Sequence, residues 1–360
     1  MIPLMNVLRQ GFENPEGLPM SCQFLFEQQN KQTTGFYIQC DSEGEQIEEG
    51  VISNPKCTVR LPLNLAQRIE RDITTIDYRD PEIIGQIQFE GDERIANHMA
   101  KAMLQPNEWI QSRFKEAEEQ HAEMNAESIS NFARLSNPTE TELLEELAKN
   151  RPFIVTDMVL PRDHTYWTLD TLDEHFGDET VRVRSAEDKE TMRQFTQRMR
   201  EFEVSYDKKF VEGFTKPYTE GASLPEAMKP WFMPLYFTAE DFSDPQIWLG
   251  CVPTHIPASS LHRDPMCGFL YQIIGRKKLL VYSADQAPYL YPMKAYNSNY
   301  QPCWVKPEDP NLDVFPQFKN AKVVEVILHP GEMLVQPKGW FHSVYALDSP
   351  TFSVSYFWRY

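Results

Sequence analysis

The feature that most constrains this chain is a run of short apolar strands through the second half of its 360 residues. QIWLGCVPT, FLYQII, KKLLVYS, AKVVEVIL, EMLVQP, HSVYAL and TFSVSYFW follow one another with turn residues between them. Short segments rich in β-branched and aromatic residues, spaced by Gly, Pro, Asn and Asp, predict an all-β barrel or sandwich. This region opens at RPFIVTDMVL, where Asn150-Arg151-Pro152 stops a preceding helix, so a domain is expected over residues 151–360. Near its start, YWTLDTLDEHFGDETVRVRS reads as helix, glycine turn and strand.

The first half has another texture. SCQFLFEQ, GFYIQC and KCTVRLPL read as strands and LNLAQRIERDI as a helix. IIGQIQFEGD is a strand ending in a Gly-Asp turn, and ERIANHMAKAML a helix whose Ile95, Met99 and Met103 form one apolar stripe. Residues 1–104 are therefore expected to form a smaller α+β domain. Residues 105–150 read as an acidic helical connector, in which ten Glu face four Lys or Arg, with Thr139 or Thr141 capping its second helix. The fold class expected for the whole is α+β.

A formal charge of −18 without a Lys/Arg cluster excludes nucleic acid and acidic membranes as partners. No stretch approaches the roughly 18 apolar residues of a membrane span. Cys22, Cys40, Cys57, Cys251, Cys267 and Cys303 are scattered, with no Cys-x-x-Cys pair. They read as free thiols of a reducing compartment, and a cytoplasmic protein is expected.

The chemistry lies among the strands of the second half. In SSLHRDP, His262 and Asp264 are two apart on an extended segment and project on one face. An imidazole and a carboxylate so placed are two thirds of the set that holds non-haem iron(II) with positions left open. HPGEMLVQPKGWFHSVYAL supplies His342: Pro330-Gly331-Glu332 starts a strand, Lys338-Gly339-Trp340 turns it back, and His342 begins the return. In FLYQIIGRKKLLVYS a hairpin turn at Gly275-Arg276 is followed by Lys277 and Lys278, either of which could offer a cation to a carboxylate in the interior. A chance His-x-Asp and a solvated lysine pair are the plain alternatives, and the agreement of four positions outweighs them. His98, His121, His164, His175 and His329 read as packing or surface groups. His255 could line the mouth of the barrel, and Trp340 is expected at its rim beside His342.

His262-x-Asp264, the strand-Gly-x-Lys turn, the PGE-strand-PKGWFH run and the terminal FSVSYFW together resemble the cupin-like, Jumonji-C class of oxygenases. The likeness covers about residues 150–360 and points to the branch containing the asparaginyl hydroxylase of hypoxia-inducible factor. It implies a double-stranded β-helix, the cupin or jelly-roll barrel. It implies that His262, Asp264 and His342 bind Fe(II), and that Lys277 takes the C5 carboxylate of 2-oxoglutarate. Ser259 stands where the family often has a Thr for the same carboxylate, and Tyr356 where an Asn is common near the co-substrate. Glu332 replaces the usual Asp after glycine, and Gly268 a frequent Asn.

The implied activity is that of a dioxygenase: 2-oxoglutarate and O2 are consumed, succinate and carbon dioxide are released, and an unactivated C–H is hydroxylated. The branch points to a protein or peptide side chain as substrate, with histone demethylation a further choice. GQIQFEGDERIANHMAKAM resembles the sterol-carrier-protein-2-like fold, which would make the N-terminal domain a holder of hydrophobic ligands and the substrate an apolar or carrier-bound small molecule. The same domain also reads as a packed α+β unit used only for contacts. A non-catalytic cupin binding module, a zinc-type isomerase and a metal-dependent hydrolase are the competing classes. The sequence stops at Tyr360, just past the last strand, so a homodimer is expected to use the N-terminal domain or the connector.

Overall fold

A computed structural model describes residues 2–28, 33–42, 44–76, 80–123, 131–157, 167–183, 189–204, 217–232, 240–297 and 299–359. The chain divides into two compact units.

The first unit holds residues 1–112 with 291–304 and 311–316. After helix α1 (Met5–Gly11), strands β1 (Met20–Glu27), β2 (Thr33–Asp41), β3 (Gly44–Glu49) and β4 (Cys57–Pro62) lead to helices α2 (Leu63–Arg71) and α3 (Pro81–Ile84). Strand β5 (Gln88–Gly91) and helix α4 (Glu93–Ala102) follow. The sheet order is β3-β2-β1-β4-β5, with β1 and β4 parallel. Alternation along β1 and β2 buries Phe24, Phe26, Phe36 and Ile38, and the rings of Phe24 and Phe36 stack at 4.8 Å. Ile95, Met99 and Met103 are buried in the same core, as their spacing predicts. The Gly-Asp turn has a backbone cause. Gly91 has φ +105°, and a Cβ there would lie 2.1 Å from the Lys56 carbonyl oxygen, while Asp92 caps α4 by accepting from the Arg94 amide at 2.9 Å. Strand β3 was not legible: GEQIEE has one apolar residue, Ile47, and the strand exists through its pairing with β2.

The second unit holds residues 113–290, 305–310 and 317–360. Its elements begin with helix α5 (Glu108–Glu123, in this unit from Arg113), strand β6 (Ala133–Ser136), helix α6 (Glu140–Leu147), strand β7 (Phe153–Thr156) and helix α7 (Leu169–Phe176). Strands β8 (Thr180–Arg182) and β9 (Lys189–Thr191) precede helix α8 (Met192–Val204), and β10 (Ala222–Ser223), β11 (Gln246–Gly250), β12 (Ser259–Arg263), β13 (Cys267–Ile274) and β14 (Lys277–Tyr282) follow. Strand β15 (Gln301–Pro302) falls in a segment of the first unit. The series closes with β16 (Val324–Leu328), β17 (Met333–Gln336), β18 (Phe341–Ala346) and β19 (Thr351–Trp358). Thr139, not Thr141, caps α6: its hydroxyl accepts from the Glu142 amide at 3.3 Å and Glu142 accepts in return from the Thr139 amide at 2.8 Å.

These strands make two sheets, a large one in the order β10-β11-β19-β13-β17-β7-β6 and a small one containing β12-β18-β14-β16. The large sheet is apolar on both faces, which is why its strands read as nearly continuous apolar runs. Phe153, Val155, Met333, Val335, Phe269 and Tyr356 meet α7 and α8 on one face. Ile154, Leu270 and Leu334 on the other meet Leu279, Val281, Val326 and Val344 of the small sheet. The result is helices, large sheet and small sheet in three layers, a mixed α+β architecture. Helix α8 escaped the reading although Met192, Phe195, Met199 and Phe202 recur at helical spacing and are all buried. No helix among the described residues is long and apolar enough to cross a membrane, and the six cysteines are free thiols.

Candidate metal centre

Strand pairing assembles the site. In the small sheet His262 lies directly opposite His342, and His342 opposite Val281 of β14. Cross-strand partners share a face, so both imidazoles point with Val281 into the space between the sheets. Asp264 extends the same side by the two-residue period. One donor atom from each of His262, Asp264 and His342 lies within 4.8 Å of the other two. The Nε2 atoms stand 3.8 Å (His262) and 3.7 Å (His342) from the Asp264 carboxylate oxygens, and the imidazole centroids are 4.2 Å apart. The three residues expected to meet do so.

Both Nδ1 atoms face away from the carboxylate and are engaged. His262 Nδ1 meets the Ser260 carbonyl at 2.7 Å and His342 Nδ1 the Gln336 amide at 2.6 Å. Burial raises the Asp264 carboxyl above its usual range, an effect opposed by His262. His342 is pushed well below its usual value, first by burial and then by His262. Two imidazoles beside a carboxylate taken out of water, with His342 held neutral by burial, make a donor set that a divalent cation completes.

Lys277 lies four residues along β14 from Val281 and so on the interior face, with 1% of its surface exposed. Among the described residues no carboxylate forms an ion pair with it, and burial pushes its pKa down to about 7. Lys278 takes the outer face, with its ammonium 5.2 Å from the Tyr345 ring centroid. Ser259 pairs with Val344, and the register shift between Ser259 and His262 puts both on the interior face although they are three apart.

Tyr356 is a correction. It pairs with Phe269 on the helix-facing side of the large sheet, and its hydroxyl donates to the Phe232 carbonyl. The pleat sends Ser353, Ser355 and Phe357 to the interior, so the co-substrate position expected at Tyr356 faces the wrong way by one residue. Polar residues on that interior face went unread: Ser355 accepts from the Trp248 indole at 2.8 Å, and Ser353 donates to Gln272 at 2.6 Å. Their signal was the Ser353/Ser355 alternation inside an apolar strand. Of the other histidines, His121 packs edge-on against buried Trp340, His98 meets the Glu13 carbonyl, and His255 and His329 are exposed. His164 lies outside the described residues.

Helix α5 braces both segments that carry the His-Asp-His set. Arg263, between His262 and Asp264, turns to the other face, where its guanidinium sits 4.1 Å from the Phe114 ring centroid and 4.8 Å from that of Phe341. It pairs with Glu118 at 2.7 Å. Arg113 donates to the Pro265 carbonyl at 3.2 Å, and Lys338 pairs with Glu116. The Gly339 amide donates to the Asp264 carbonyl at 2.8 Å, tying the turn before His342 to the segment of His262 and Asp264.

A family model described as a cupin-like domain matches residues 138–360. The chain belongs to the cupin-like family. Its Jumonji-C members are iron(II)- and 2-oxoglutarate-dependent oxygenases that use O2, and the His-Asp-His set of this cupin-like domain fits that cofactor. The chain is 32% identical over 201 residues to Lysine-specific demethylase 8 of Xenopus tropicalis, covering 53% of this chain and 44% of that protein. It is 31% identical over 121 residues to HSPB1-associated protein 1 of Rattus norvegicus, covering 33% and 25%. With JmjC domain-containing protein D of Dictyostelium discoideum it shares 37% over 115 residues, 32% of this chain and 25% of that protein. The chain thus spans less than half the length of these relatives. A solved sterol carrier protein 2 like 2 from Aedes aegypti matches 27% of the chain and 90% of its own, at 20% identity and a TM-score of 0.22. A score so low carries no argument about fold.

Proposed function

We propose that the cupin-like unit is a 2-oxoglutarate-dependent dioxygenase that hydroxylates a C–H of a protein or peptide side chain. His262, Asp264 and His342 are its iron ligands, with Lys277 and Ser259 receiving the C5 carboxylate of the co-substrate. One observation carries this reading: three metal donors converge on the interior face that also holds a buried lysine without a carboxylate partner among the described residues. Iron(II) with 2-oxoglutarate supplies the oxidising chemistry, coupling decarboxylation of the oxo-acid to insertion of oxygen into the C–H. The protein's own residues do the placing. His262, Asp264 and His342 would hold the metal from the side on which their donor atoms converge. Lys277 charges when a carboxylate reaches it, and this fixes the co-substrate at its far end. The apolar inter-sheet core of Leu279, Val281, Leu334 and Val344 limits water around the site.

A protein substrate is favoured by the relatives named as lysine-specific demethylases. Hydroxylation of an N-methyl carbon would release formaldehyde, so product analysis separates demethylation from a retained hydroxyl. Incubation with Fe(II), 2-oxoglutarate and O2 should give succinate above background, rising when substrate is added and lost in His262→Ala. Equal succinate release by wild type and His262→Ala would overturn the oxygenase reading.

A further inference from the structure

His342 is held from behind by a side chain of the facing sheet. Gln336 ends β17 and, two residues beyond Leu334, points into the space between the sheets. It is 7% exposed, at the end of a strand whose other members are Met333, Leu334 and Val335. Its amide nitrogen lies 2.6 Å from His342 Nδ1 and 3.0 Å from the Trp340 carbonyl oxygen. A buried amide is costly unless hydrogen-bonded, so an amide here needs partners. The Nδ1 of His262 meets a backbone carbonyl instead, that of Ser260. At His342 it is a replaceable side chain that reaches the back of the ring.

We propose that Gln336 is the positioning residue for His342, setting the rotation of the imidazole and the nitrogen that carries its proton. The proposal rests on the metal-site reading above. A metal at Nε2 requires the ring proton on Nδ1, which then needs an acceptor. A half-turn about the last side-chain bond exchanges amide oxygen and nitrogen, and the turned oxygen of Gln336 would then accept from Nδ1–H, giving up the nitrogen's bond to the Trp340 carbonyl oxygen. The Trp340 carbonyl also faces the His342 ring and is the rival orienting group.

Manganese(II) titration of the full chain by calorimetry separates the two, using Gln336→Leu, which removes the hydrogen bond at similar volume, and Gln336→Glu, which keeps an acceptor. Gln336→Leu should bind about 10- to 100-fold more weakly, while Gln336→Glu stays within about threefold of wild type. In the zinc(II)-loaded protein, the His342 Nδ1–H NMR signal should exchange slowly in wild type and Gln336→Glu and be lost in Gln336→Leu. Melting curves in excess chelator confirm that each variant is folded. Gln336→Leu binding as wild type would hand the role to Trp340 and overturn the proposal, and so would Gln336→Glu as weak as Gln336→Leu. A folded wild-type protein that binds no divalent ion would instead remove the metal site itself.

Discussion

Lys277 shows how one side chain carries a testable account. Burial lowers its pKa from 10.5 to about 7. Unfolded, it holds its proton until about pH 10.5, whereas folded it loses it near 7, so between these values the unfolded chain binds more protons and this residue's contribution to stability rises with pH. Below about 7 the folded protein bears the full cost of the buried charge. Lys277→Met should therefore stabilise the ligand-free protein at pH 6, by on the order of a few kcal/mol, and by progressively less as pH rises. Binding a carboxylate favours the charged form. The affinity for 2-oxoglutarate, measured anaerobically with manganese(II), should then be flat below pH 7 and fall about tenfold per unit above it. A co-substrate affinity unchanged from pH 6 to 9 would remove Lys277 from that role. The residue-level reading of the sequence reached His262, Asp264 and His342 because spacing and turns are local signals. It missed Gln336, whose partner is set by the packing of two sheets.

At the scale of elements, the pleat and helix α5 decide what was legible. The pairing of β14 with β18 puts Lys277 and His342 on one face, a choice between Lys277 and Lys278 that the residues alone leave open. Tyr356 failed by a single residue because the register of β19 against β13 is set by pairing, and a shift of one position reverses every side chain. Helix α5 was read only as part of an acidic connector, since its contacts to Arg263, Pro265 and Lys338 join residues far apart in sequence. Glu118→Ala tests the brace. Removing one partner of a fully buried pair costs about 3–5 kcal/mol, but Glu118 is 41% exposed, so about 1–2 kcal/mol is expected. Thermal melting should show that loss, and manganese(II) affinity should fall with it. Asp348→Ala, which breaks the exposed pair with Arg276, should cost less than about 1 kcal/mol and leave the metal site intact. Equal effects from the two variants would show that α5 does not brace the ligands.

For the whole molecule, the architecture of the second half was visible from turn-separated strands, because a sheet buried on both faces writes its core as apolar runs. The unit boundaries were less visible. Residues 291–304 and 311–316 join the N-terminal unit, where Glu13 accepts from the Lys294 amide at 2.8 Å and the Trp304 indole at 3.0 Å, pairings that no local pattern announces. The interior of the second unit carries the central claim, that its ligand triad holds a metal on which 2-oxoglutarate depends. Anaerobic calorimetry with iron(II) and 2-oxoglutarate tests it most directly. The wild-type protein should bind a single iron and then a single 2-oxoglutarate, with no co-substrate binding in chelator, and Asp264→Ala should lose both. Co-substrate bound equally well with and without iron, or iron retained by a double variant lacking His262 and His342, would contradict it.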